Sequence, residues 1–129
     1  MRAPFDGVVL IAHGARDARW MEPFHRMRQA LADALAPLPV GLSFLDFAPP
    51  NFAGATAELY AAGARNLLVL PIFLSGGGHV ASDVPELVRA EEARYPDATF
   101  TASGAIGEEA EVASGMIQAI VRLATATRA

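Results

Sequence analysis

Hydrophobic and polar positions along the chain follow two kinds of strand pattern. Continuous apolar runs at 8–12 and 67–74 are typical of strands covered on both faces of a sheet, and Pro71 is expected to end the second of them. The segments 40–47 and 99–102 partly alternate between large apolar and small or polar residues, as edge strands do. We therefore predict four strands, with strands 1 and 3 in the middle of the sheet.

The stretches between these strands have the spacing of amphipathic helices. Apolar residues recur at steps of three or four in the first of them, and we expect this stripe to lie in the core. The stripe comprises Trp20, Phe24, Met27, Leu31 and Leu35. Asn51 is expected to cap a second helix that stops at Gly63. A capping-box pattern at Asp83 predicts that a third helix begins there and runs to Tyr95.

A fourth helix is predicted over 109–125, so helices alternate with strands along the chain. This alternation implies parallel strands joined by right-handed crossovers. With 129 residues, the chain has room for one domain of ordinary size. We predict a single α/β domain over 1–129, an open parallel sheet of about four strands with helices on both faces.

Composition excludes several functional classes. All ten basic residues are Arg, which excludes Schiff-base lysines and the lysine of a phosphate-binding P-loop. The chain has no Cys, so disulfides, thiolate metal sites and cysteine-ligated iron–sulfur clusters are excluded. A net charge of −4 gives no support for nucleic-acid binding. No apolar run is long enough to span a membrane and no signal-peptide pattern is visible, so we expect a cytoplasmic protein.

Three residues suited to metal chemistry lie at or just after the ends of three successive predicted strands. They are His13, Asp46 and His79, evenly spaced by about one strand–helix unit. Loops at the carboxyl ends of parallel strands meet at one edge of the sheet, so these side chains are expected to meet. Two imidazoles and a carboxylate suit first-row divalent metals and leave coordination positions open for water or substrate. Each residue alone has a structural explanation, as a capping or solvated group, but together they favour a functional site.

Charged and glycine-rich segments beside these residues are candidates for ligand binding. Arg16 and Arg19 can bind carboxylates through two parallel hydrogen bonds, although arginines at a helix start are often merely solvated. The consecutive glycines Gly76, Gly77 and Gly78 allow the backbone to approach a ligand closely. We expect these five residues to line the same edge of the sheet.

Three segments of the chain resemble a known family. LIAHGARD at 10–17 resembles the opening motif of the short sirohydrochlorin chelatases of the class II chelatase family. LPIFLSGGGHV at 70–80, followed by DVP at 83–85, resembles the second histidine segment of that family. FLDFAPP at 44–50 is similar to the segment that carries the family's active-site acid, and the whole resemblance extends over about 7–121.

The resemblance implies an enzyme, a lyase that inserts Co²⁺ or Fe²⁺ into sirohydrochlorin without ATP. Such a reaction serves cobalamin or sirohaem biosynthesis, and the same ligands would also accept Ni²⁺. No nucleotide and no iron–sulfur cluster is implied. Short members of the family resemble one lobe of two-lobed relatives and act as homodimers, so a homodimer is expected here. An apolar stripe on the last helix could join the interface: Val112, Met116, Ile120 and Leu123.

The resemblance also implies roles for individual residues. His13 and His79 correspond to metal ligands that also accept protons from the substrate. Asp46 stands where the family usually has Glu, and we expect it to act more through its charge than through direct ligation. The substrate's carboxylates would bind Arg16, Arg19 and the backbone N–H groups of 76–78.

Two other classes of function stay open at this level. Glycines 76–78 could cradle a phosphate, and Ala12-His13-Gly14 resembles the Arg-His-Gly of histidine phosphatases, although Ala12 lacks the charge of that arginine. A phosphate-binding or phosphohistidine-type enzyme is therefore one alternative. A non-catalytic metal carrier is the other, since it would need the ligands without a tetrapyrrole pocket.

Overall fold

The computed structural model describes residues 4–127, apart from the side chains of residues 79–81. Four parallel strands form one sheet in the order β2-β1-β3-β4. The strands are β1 (Gly7–Ala12), β2 (Val40–Phe44), β3 (Asn66–Pro71) and β4 (Thr99–Ala102). The prediction that strands 1 and 3 are the middle strands is confirmed, and so is the end of β3 at Pro71.

Helices lie on both faces of the sheet, which confirms the predicted α/β class. They are α1 (Glu22–Leu35), α2 (Phe52–Ala61), α3 (His79–Arg94) and α4 (Ala110–Thr125), with short 3-10 turns at Ala18–Trp20 and Ile106–Glu108. The Asn51 side chain accepts a hydrogen bond from the Gly54 N–H at the start of α2, as its position predicts. Just beyond the end of α2, Gly63 has a φ of 104°, which suits glycine.

Side chains of the middle strands pack alternately into two cores. On one face, buried residues of β1 and β3 contact α2 and α3; this core includes Val9, Ile11, Leu67, Val69, Leu59 and Val84. On the other face the buried residues are contacted by α1; this core includes Val8, Leu10, Leu42 and Phe44, with Phe24 and Leu31 against it. Because both faces of β1 are buried, the loop that follows it starts from a rigid base.

The predicted core stripe on α1 is only partly correct. Phe24 and Leu31 are half-buried against the sheet. Trp20, by contrast, lies before α1 in a 3-10 turn and is 72% exposed, and Met27 and Leu35 are also exposed. Helical spacing predicts the apolar side of a helix, but how deeply each residue is buried depends on how close the helix approaches the sheet.

The predicted start of α3 at Asp83 is wrong, because the helix begins four residues earlier at His79. Pro85 therefore lies inside the helix rather than in its first turn. Capping preferences contribute only about 1 kcal/mol, so a capping pattern alone does not fix where a helix begins. Val84 and Val88, one turn apart on α3, are both buried against the sheet.

Helix α4 packs mainly against the turn Ile106–Glu108 and has no buried residue. Its apolar side is open, and Ile117 and Ile120 are each 62% exposed. On the sheet, Leu68 and Leu70 of β3 are only half-buried on the face that α1 covers in part. Two apolar surfaces of the chain, one on α4 and one on the sheet, are therefore incompletely covered.

None of the helices within residues 4–127 is both long and apolar enough to cross a membrane.

Candidate functional site

His13 directly follows β1 at the carboxyl edge of the sheet. Its imidazole is exposed and rests on the buried ring of Phe73, with 4.2 Å between the ring centroids and 50° between the planes. The two residues line an open cavity of about 550 Å³ together with Ile72, Leu74, Ser75, Gly77 and Gly78. Packing on Phe73 restricts the orientation of the imidazole while leaving its nitrogens open to a ligand.

Asp46 is joined to His13 through the backbone. The Asp46 N–H donates to the His13 carbonyl at 3.0 Å, and the Leu45 N–H donates to the Ala12 carbonyl at 2.9 Å. Gly14 has a φ of +88°, and a Cβ placed on it would lie 2.0 Å from the Asp46 carbonyl oxygen. Only glycine fits there, so Gly14 lets the loops after β1 and β2 lie in contact.

The side chain of Asp46 lines a different cavity from that of His13. This second cavity, of about 320 Å³, is formed with Leu45, Asp83, Glu86, Leu87 and Ala90. The structure thus brings the two loops together at the sheet edge through their backbones, but the expected meeting of the His13 and Asp46 side chains in one cavity is not observed.

His79 begins α3 immediately after Gly78, which has a φ of 65°. Its side chain lies outside the described residues, so the three-residue metal set of His13, Asp46 and His79 stays a prediction. Among the side chains that the structure describes, no three His, Cys, Asp or Glu residues converge on a possible metal position.

The glycine loop is held by a residue that the sequence analysis missed. Glu108, in the loop after β4, accepts a hydrogen bond from the Gly76 N–H at 2.6 Å. Beside it, Gly107 packs so tightly that a Cβ would lie 2.2 Å from the Leu74 carbonyl oxygen. The loops after β3 and β4 are therefore locked together. The available signal was position alone, since Glu108 follows a strand at the same edge of the sheet.

The two candidate arginines are placed differently. Arg19 pairs with Asp17 at 2.7 Å, and this contact lowers the pKa of Asp17 and raises the pKa of Arg19. Arg19 also lines a hollow against α1 with Glu22, separate from the His13 cavity. Arg16, in contrast, contacts Phe47, which lies in the loop after β2. The Arg16 guanidinium carbon is 5.1 Å from the centre of the Phe47 ring. The Gly76 N–H, a predicted donor to ligand, is already bonded to Glu108.

The fold and this edge define a small α/β unit built to hold a ligand above the carboxyl ends of its strands. The family model CbiX matches residues 7–123, and the chain belongs to the CbiX family.

Curated relatives match about two thirds of the chain. A sirohydrochlorin cobaltochelatase of Saccharolobus solfataricus is 29% identical over 82 residues, which cover 64% of this chain and 62% of that protein. A sirohydrochlorin cobaltochelatase of Methanothermobacter thermautotrophicus is 31% identical over 85 residues, which cover 66% of this chain and 59% of that protein. The match thus spans about three fifths of the length of these relatives.

Solved structures share the fold. A CbiX protein from Marinobacter aquaeolei VT8 superposes with a TM-score of 0.80 at 23% identity, covering 92% of this chain and 96% of that one. The sirohydrochlorin chelatase SirB from Bacillus subtilis subspecies spizizenii, solved in complex with cobalt, has a TM-score of 0.80 at 20% identity. The superposition covers 92% of this chain but only 50% of the SirB chain. This chain therefore corresponds to one half of that larger chain.

Proposed function

We propose that this protein is a sirohydrochlorin chelatase that inserts Co²⁺ or Fe²⁺ into the macrocycle without ATP. The observation that carries the proposal is membership of the CbiX family over 7–123, with His13 exposed at the carboxyl edge within the matched region. The two curated relatives described above are sirohydrochlorin cobaltochelatases, which favours cobalt. The cytoplasm as the place of the reaction stays a prediction.

Metal insertion requires that two pyrrole N–H groups lose their protons while the hydrated metal loses water. In the proposed mechanism, His13 binds the entering metal or accepts a proton, since a neutral imidazole can do either. His79 is proposed as the second such imidazole. The two protons released balance the two charges of the metal, so the macrocycle gains no net charge. The open cavity beside Phe73 gives the tetrapyrrole macrocycle a surface against which it can bend toward the metal.

Asp46 is proposed to act by charge. A dication approaching neutral imidazoles brings two positive charges to this edge, and a nearby carboxylate stabilises them. The exposed Asp46 carboxylate is one loop away from His13. Arg16 is the better placed of the two arginines to bind a substrate carboxylate, because Arg19 already pairs with Asp17. The backbone N–H groups of Gly77 and Gly78 are proposed as further donors to the substrate.

We also propose that two copies associate through α4. The open apolar side of α4 matches in character the incompletely covered face of the sheet around Leu68 and Leu70. The chain covers half of the SirB chain, so two copies would supply an architecture of the same size. Light scattering is expected to give twice the 13.6 kDa mass of one chain.

A matched pair of variants tests this association. Ile120→Asp places a charge on the apolar side of α4 and is expected to yield monomers. Gln118→Asp places the same charge on the polar side of the same helix and should leave the dimer intact. A monomeric wild-type protein at micromolar concentration would contradict the proposed dimer.

Titration of the metal-free protein with sirohydrochlorin, followed by visible absorbance, tests the function directly. We expect spectral shifts on binding and a second change when Co²⁺ or Fe²⁺ is added and inserted. Protein that binds metal but not the tetrapyrrole would indicate a metal carrier. Protein that binds inorganic phosphate and ignores the tetrapyrrole would indicate the phosphate-binding alternative. Either result overturns the proposed function.

A further inference from the structure

Phe47 has a backbone conformation that is unusual for a residue with a side chain. It has a φ of 71°, and the flanking Ala48 N–H donates to the Asp46 carbonyl at 2.9 Å, which closes a γ-turn around Phe47. A non-glycine residue in such a turn is strained. Phe47 gains no burial in return, because its side chain is 63% exposed. Core packing therefore does not explain why a large aromatic residue occupies this position.

The position of Phe47 in the sheet order suggests an explanation. Phe47 follows β2, His13 follows β1, and Leu74 follows β3; these are three neighbouring strands in the order β2-β1-β3. Leu74 is 68% exposed and lines the His13 cavity. The loop that carries His13 therefore lies between two loops that each carry an exposed apolar side chain, and the three parallel strands span about 10 Å for two strand spacings.

Phe47 also contacts a cation. The guanidinium carbon of Arg16 lies 5.1 Å from the centre of the Phe47 ring, within the range of cation–π attraction. This contact holds a positive group beside a flat apolar surface. The combination suits a ligand that is planar and apolar at its centre and carries carboxylates at its edge.

We propose that Phe47 is a substrate-positioning residue, which packs against the macrocycle and holds Arg16 toward one of its peripheral carboxylates. This inference rests on the proposed function. It gives that function a further residue, which lies outside the histidine segments at 10–17 and 70–80. Its proposed role is to hold the macrocycle above His13 and not to bind the metal. Its removal is therefore expected to weaken substrate binding more than it slows the insertion step.

The test compares Phe47→Gly with Phe47→Tyr in titrations of the metal-free protein with sirohydrochlorin. Phe47→Gly removes the ring and relieves the strained φ, so we expect affinity to fall about tenfold while the thermal midpoint stays the same or rises. Phe47→Tyr keeps the ring and should bind like the wild type. In steady-state metal insertion, Phe47→Gly should raise KM by a similar factor and change kcat far less.

Charge and surface controls complete the experiment. Arg16→Ala should weaken binding and make it less sensitive to salt, whereas Arg26→Ala, an exposed arginine paired with Glu22 on α1, should do neither. Met27→Ala removes an exposed apolar side chain from α1 and should leave the affinity unchanged.

Wild-type affinity in Phe47→Gly would overturn the positioning role and leave the proposed function standing. The same applies if Phe47→Gly alters only the molecular mass in light scattering, since the ring would then belong to a subunit interface. A wild-type protein that binds no tetrapyrrole would overturn both proposals.

Discussion

Gly14 offers a quantitative test of how the loops after β1 and β2 are joined. The substitution Gly14→Ala adds one methyl group at a φ of +88° and at 2.0 Å from the Asp46 carbonyl oxygen. Gly63→Ala is the matched control, because Gly63 has a φ of +104° and nothing lies within 4 Å of its added Cβ. Both variants place an alanine at an unfavourable positive φ, and only Gly14→Ala also creates a steric clash.

The expected difference follows from these contacts. An alanine at positive φ costs about 1–2 kcal/mol, which is the whole cost expected for Gly63→Ala. In Gly14→Ala the loops must also separate, and the hydrogen bond from the Asp46 N–H to the His13 carbonyl is lost at a net cost of about 1 kcal/mol. Disturbed packing around the separated loops adds to this. We therefore expect a loss of at least about 3 kcal/mol in unfolding free energy.

Urea unfolding and calorimetry measure this difference. For a chain of this length, about 1 kcal/mol corresponds to roughly 4 °C in the thermal midpoint. Gly14→Ala should thus melt at least about 12 °C lower than the wild type and Gly63→Ala about 4–8 °C lower. Metal insertion, measured well below both midpoints, should fall only in Gly14→Ala. Equal destabilisation of the two variants would refute the argument, because the clash would then have no cost.

Three further predictions concern the site. His13→Ala and His79→Ala should each stay folded, since His13 is exposed and His79 directly follows a loop. Both variants should lose metal insertion in an absorbance assay. Near-normal insertion rates in the folded variants would exclude a role for the imidazoles in the reaction. Asp46→Asn removes the charge and should slow insertion at least tenfold, about 1.4 kcal/mol of barrier, whereas Asp46→Glu should be tolerated. If Asp46→Asn were active and Asp46→Glu inactive, the size of the side chain and not its charge would matter at this position. Glu108→Ala should slow insertion several-fold by freeing the Gly76 N–H, and Glu108→Gln, which keeps an acceptor oxygen, should restore the rate; equally slow variants would mean that charge matters there, and wild-type rates in both would exclude a role for Glu108.

The two middle strands and the end of β3 were predictable because they depend on local patterns, whereas β2, predicted over 40–47, ends at Phe44. Continuous apolar runs distinguish strands buried on both faces, and Pro71 cannot extend a ladder of hydrogen bonds. The start of α3 was not predictable in the same way. The Asp83 pattern matches a helix start, but the helix extends back to His79. A local preference of about 1 kcal/mol is too small to fix the start of a helix.

The candidate site was likewise predictable from the sequence only in part. Even spacing predicted that His13 and Asp46 meet at one edge of the sheet, and their backbones do, because the fold itself brings those loops together. The two residues line different cavities, however. The spacing could not predict that Glu108 bonds to Gly76, since this contact depends on the path of a loop after the edge strand. It also could not predict the conformation of Phe47, which arises from a single γ-turn. Contacts between side chains and loops depend on geometry that spacing does not contain.

The loosely attached α4 has a consequence for how the protein responds to dilution. If the apolar side of α4 is covered only by another copy, its burial depends on protein concentration by mass action. In a chain twice as long, as that of SirB is, two such units could be joined covalently. When two units are joined in one chain, the concentration of the second unit around the first no longer depends on the protein concentration in solution. It becomes an effective concentration, which is about millimolar for a short connection. The short protein would lose its assembled form when it is scarce, and a fused chain would keep it in a single molecule.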